Sequence, residues 1–61
     1  MYAVAPGGLR AGRETVVVTR EGRRVGSASV GFVRWMHDVV PKRQLRPEQV
    51  AMVRWFERLP A

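Results

Sequence analysis

Between Pro47 and Pro60 the apolar residues recur at helical spacing. Turned about 100° per residue, Met52, Val53, Trp55, Phe56 and Leu59 collect in an arc of roughly 160°. Phe56 lies near the centre of that arc, Val53 and Trp55 at its edges, and Arg54 points the other way. The stretch "VRWF" that carries this pattern nearly repeats "VRWM", which begins at Val33. There Phe32, Val33, Trp35, Met36, Val39 and Val40 fill a similar arc, with Met36 central and Arg34 facing out. The near-repeat is therefore the shape of an amphipathic stripe written twice, and it predicts two helices joined by the basic linker "PKRQLR". The second helix has Pro47 at its first position, Glu48 near the positive end of the dipole and Pro60 as its stop. For the first, Ser29 is the expected N-cap and Pro41 the terminator.

The chain ahead of Val30 alternates differently. Thr15 to Thr19 is β-branched throughout, which favours a strand. With Gly22 as punctuation, residues 14–30 read as a β-hairpin. A glutamate tolerates positive φ poorly, so the expected turn is type I over Arg20-Glu21 with Gly22 left-handed, placing Val17 opposite Val25. The small residues Gly26, Ser27, Ala28 and Ser29 offer little to pack, but would let another element approach closely. Residues 1–13, rich in Gly and Pro, read as a flexible arm or a short edge strand. The predicted fold is α+β: an N-terminal arm, a β-hairpin and two antiparallel helices packed through Met36 and Phe56, all within a single small domain over 14–60. The valines of 30–40 also permit a three-stranded meander plus one C-terminal helix, but the helical wheel collects them on one side.

Length sharpens the expectation about assembly. A chain of 61 residues buries a small fraction of its surface and usually needs a staple. It has no cysteine, and His37 alone cannot build a zinc site. No cofactor is expected; a homo-oligomer, or a subunit of a larger assembly, is. No signal peptide or apolar run of membrane-spanning length is evident, and a cytoplasmic setting fits the lack of cysteine.

The net charge is +6, and ten of the eleven basic residues are arginine. The absence of Ile and Asn, with abundant Ala, Val, Gly, Arg and Pro, is the residue usage of a GC-rich genome, so the positive charge matters more than the choice of arginine. Such a surface points to nucleic acid or to an acidic protein surface. The basic groups fall in clusters: Arg10 and Arg13 on the arm, Arg20, Arg23 and Arg24 at the hairpin tip, Lys42, Arg43 and Arg46 on the linker. Trp35 and Trp55, at the stripe edges beside arginines, are candidates for stacking or an interface. Catalytic constellations are missing: His37 and Asp38 are adjacent on a helix and point about 100° apart, and the glycines of "APGGLRAGR" lack a phosphate-loop context. The sequence therefore predicts a small non-catalytic nucleic-acid-binding protein, DNA or RNA. The alternative is a docking adaptor, regulator or assembly subunit of the phage type that binds an acidic protein surface.

Overall fold

The computed structural model describes the backbone of residues 1–10 and 13–60 and the side chains of 1–7 and 14–60. Three strands, β1 (Tyr2–Arg10), β2 (Arg13–Arg20) and β3 (Arg23–Ser29), form an antiparallel meander in the order β1-β2-β3. Two helices follow, α1 (Val30–Val39) and α2 (Pro47–Glu57), with one 3₁₀ turn over Lys42–Gln44 between them. Of the two expectations for this segment, a flexible arm or a short edge strand, residues 2–10 form the edge strand, and at nine residues it is not a short one. Their Gly- and Pro-rich composition has weak strand propensity, but β2 would otherwise lack a partner along one edge, and an edge is where a sheet tolerates proline. The third strand of the meander is β1, and residues 30–39 are helical.

Both helices pack on one face of the sheet. Val16 and Val18 of the central strand are fully buried and, with Val33, Met36, Met52 and Val53, make the core. Tyr2 and Val4 from β1 and Ala28 from β3 pack around it, as strand alternation requires. Val4, Val18 and Gly26 stand in one row across the sheet. A Cβ at Gly26 would lie 3.9 Å from Glu48 Cγ and Met52 Cε, an ordinary contact, so Gly26 faces the side chains of α2 with room for a methyl group.

The hairpin turn departs from the expected one. Arg20 pairs with Arg23, and both intervening residues have positive φ, Glu21 at 54° and Gly22 at 79°. This is the two-residue type I′ geometry, whose twist matches the flanking strands. That match outweighs the roughly 1–2 kcal/mol cost of a left-handed glutamate. The register changes with it. Val17 faces Ser27, not Val25, because a bulge between the Val18–Gly26 and Thr19–Arg24 pairs leaves Val25 as the extra residue. The bulge turns Val25 out to solvent and puts Gly26 and Ala28, rather than Val25 and Ser27, under the helices.

The helix ends follow local rules. Ser29 Oγ accepts the Phe32 N–H at 3.1 Å, closing the first turn of α1. At α2 the N-cap residue Arg46 has no acceptor in its side chain, and Gln49 Oε1 instead reaches back to its backbone N–H at 2.9 Å. The last turn of α2 tightens: Arg58 and Leu59 N–H groups bond to Trp55 and Phe56 carbonyls, so Leu59 lies beyond the helix and is exposed.

Each apolar arc is only partly covered. In α2 the buried centre is Met52 and Val53, whereas Phe56 and Trp55 are half-buried. In α1, Val33 and Met36 are buried, but Phe32, Trp35 and Val39 remain 46%, 53% and 60% exposed. The two helices pack together, and their C-terminal turns meet where the His37 ring lies 5.3 Å from that of Phe56.

Candidate nucleic-acid interface

The type I′ turn carries Arg20 and Arg23 as register partners at the far end of the hairpin. Arg24 pairs with Thr19, so alternation sends it to the opposite, open face of the sheet. There Arg24 Nη2 donates to Ser27 Oγ at 2.8 Å, which steadies the guanidinium without neutralising it. Arg20 lies over the Tyr2 ring, with Cζ 5.7 Å from the centroid, a cation–π arrangement supported by the direct Tyr2–Arg20 pairing of β1 and β2. None of the three forms an ion pair among the described residues. The tip is therefore a cluster of three guanidiniums straddling both faces of a two-residue turn.

The linker cations are arranged differently. Lys42 Nζ sits 3.4 Å from Glu57 Oε2, and Arg46 Nε sits 3.4 Å from Glu48 Oε1. Exposed pairs of this kind add little stability, but each places a carboxylate where an incoming phosphate would be repelled. Arg43 alone in that cluster has no ion-pair partner among the described residues. Arg34 on α1 is held 3.7 Å from Asp38. The backbones of Arg10 and Arg13 form the last pair of the β1–β2 ladder, and their side chains lie outside the described residues.

Sequence reasoning missed a second basic surface. Arg54 in the last turns of α2 and Arg58, which caps its C-terminal end, come to the same side of the molecule. With Tyr2, Val4, Val50 and Ala51 they line a groove of about 610 Å³ between α2 and β1. Neither arginine has an ion-pair partner among the described residues. Their spacing was legible in the sequence; their opposing wall was not, because the expectation of a flexible arm or a short edge strand did not say what that segment would lie against. Tyr2 joins the two surfaces, lining the groove while its ring contacts Arg20.

The aromatic candidates separate. Trp35 is exposed and stacks on Phe32, with ring centroids 5.6 Å apart and planes 30° from parallel. Trp55 packs against the core. His37 does engage its neighbour, contrary to the wheel argument: Nδ1 is 2.8 Å from Asp38 Oδ1, and Nε2 is 3.6 Å from Glu57 Oε2. Side-chain rotation spans the angle that backbone geometry leaves. The imidazole is bracketed by carboxylates on the open surface, with no hydroxyl among its hydrogen-bond partners. Among the described residues no group of three His, Cys, Asp or Glu is placed to hold a metal ion, and no helix is long and apolar enough to cross a membrane.

Compared with known proteins, the chain matches no family model, no curated protein and no solved structure.

Proposed function

We propose that this chain binds nucleic acid without chemistry, through phosphate contacts from Arg20, Arg23 and Arg24. The observation that carries the reading is the hairpin tip: three guanidiniums on a turn of defined geometry, with no carboxylate paired to any of them among the described residues. Cations on a protruding hairpin engage phosphates at little ordering cost, and arginine presents the forked donors that suit them. Arg43 extends the same role. Lys42 and Arg46, already paired, contribute less. The expected binding is sequence-tolerant, because phosphate contacts position a protein without reading bases.

Each neutralised phosphate of duplex DNA contributes about −0.9 to the slope of log affinity against log salt. Alanine at all three tip positions is expected to flatten that slope by about two to three units. The loss should be similar on unrelated sequences. Titration of wild type and triple variant against random duplex DNA and RNA at several salt concentrations reads this out, with circular dichroism to show that both fold. No binding of wild-type protein to either polymer at low salt would remove the reading. An unchanged triple variant would move the site to Arg43 and its neighbours.

A second reading is favoured by the exposed Phe32–Trp35 stack, which Val39 extends at helical spacing. In that reading α1 docks on a second copy of itself, in keeping with the marginal core of a short chain. Dissociation-linked unfolding then makes Tm rise with protein concentration, and Trp35→Glu abolishes the dependence. A monomer by light scattering at high concentration, with a concentration-independent Tm, sinks it.

A further inference from the structure

We infer that the groove between β1 and α2 receives an acidic polypeptide segment, which adds to the outer edge of β1 as a fourth strand. The inference stands independently of the hairpin tip and rests on the edge, the groove and the charge that lines it.

β1 pairs with β2 on one side only, so its other edge presents backbone donors and acceptors that no strand of this sheet satisfies. Proteins blunt such edges with prolines, bulges and charges. Here the blunting is uneven. In the second half of β1, Pro6 lacks an N–H and the register slips between Pro6 and Gly8. The β3 edge carries Arg23, Arg24 and the bulge at Val25. The stretch from Tyr2 to Ala5 has none of these devices: its register with Arg20 to Val17 is regular and its side chains are uncharged. The open stretch is the one that borders the groove.

A strand laid along Tyr2–Ala5 would send alternate side chains toward α2. There they meet Val4, Val50 and Ala51, half-buried aliphatic groups that accept small apolar side chains. They also meet Arg54 and Arg58, which among the described residues have no ion-pair partner and share the groove with no acid. Charge complementarity therefore selects an acidic segment. A second copy of this chain is disfavoured, because antiparallel pairing of two β1 edges about a two-fold would place the Arg54 and Arg58 grooves of both copies side by side. A nucleic-acid strand is disfavoured by the lining. Its one aromatic ring, Tyr2, is half-buried and already engaged by Arg20, which leaves aliphatic walls where bases need stacking faces.

The test uses the untagged full chain and fluorescent peptides of about eight residues, roughly the length of an ordinary strand. One carries valine and glutamate in turn at every second position with threonine between, so that one face presents both, one replaces its glutamates by lysine, and one repeats the glutamate sequence with alternate amides N-methylated on the edge that would pair. The glutamate peptide is expected to bind and the lysine peptide not. N-methylation should weaken binding roughly tenfold, since it deletes strand-pairing donors. Arg54→Gln with Arg58→Gln should weaken it by about tenfold or more. Both arginines are exposed, so the double variant should keep its circular dichroism and Tm. The Arg23, Arg24 double variant, which leaves Tyr2 and its Arg20 contact intact, should change affinity by no more than about threefold. Amide exchange should slow at Tyr2–Ala5 when the glutamate peptide is present. The inference is overturned if the glutamate peptide fails to bind the folded chain, if the N-methylated or lysine peptide binds equally well, or if an oligothymidylate protects the same amides while the peptide does not. Protection of Tyr2–Ala5 by self-association alone, rising with protein concentration, would overturn it in favour of a second copy.

Discussion

Met36→Ala is expected to unfold the domain or nearly so. Met36 is 1% exposed and sits where α1, α2 and the sheet converge with Val33, Met52 and Val53. Truncating a buried methionine costs about 2–5 kcal/mol, part from lost transfer energy and part from the cavity left behind. A domain of this length has a total stability of about 3–9 kcal/mol, so the loss takes a large share of it. The neighbouring Trp35→Ala removes a larger side chain from the exposed half of the same helix and should cost about 1 kcal/mol or less in the isolated chain. Phe56→Ala should fall between them, because Phe56 is half-buried and loses its ring contact with His37. Urea melts followed by circular dichroism rank the three. Equal midpoints for Met36→Ala and Trp35→Ala would contradict the burial of one half of the stripe over the other.

Val18→Asp is expected to abolish folding outright, while Val17→Asp leaves a folded protein. The two positions are adjacent on the central strand and have the same strand propensity, so the contrast isolates the face. Val18 is fully buried beneath the helices, and the core around it holds no polar side chain to receive a carboxylate. An unpaired buried charge costs several kcal/mol even after relaxation and water penetration. Val17 lies on the open face between Ala5 and Ser27, where water reaches the substituent. There the cost should be about 1 kcal/mol, the span of strand propensity. The one-dimensional amide spectrum of each variant decides the matter: dispersed for Val17→Asp, collapsed for Val18→Asp. Dispersed spectra for both would mean that the helices cover the sheet less tightly than the burial of Val16 and Val18 implies.

What the chain determined by itself is what neighbours in sequence decide. Ser29 and Pro47 start helices because a side-chain acceptor and a fixed φ act within one turn, and both helices begin where those residues stand. The periodicity of Phe32, Val33, Trp35, Met36 and Val39 favoured a helix over 30–40, since at strand spacing the same residues would scatter over two faces, and residues 30–39 are helical. Gly22 marked the turn, because left-handed backbone is cheap only there. What only the tertiary structure decided depends on partners distant in the chain. Residues 2–10 became a strand through pairing with β2, against their own weak propensity. The register followed from a turn chosen for its twist and from the bulge at Val25, which keeps Gly26 and Ala28 on the helix side of the sheet. A helical period states which residues share a side, but not which part of that side meets a neighbour. Hence Met52 and Val53 were buried in preference to Phe56, and Phe32 and Trp35 were left in solvent. The candidate surfaces divide the same way. The tip arginines were visible because a hairpin is local, whereas Arg54 and Arg58 gained an opposing wall only when β1 folded back beside α2.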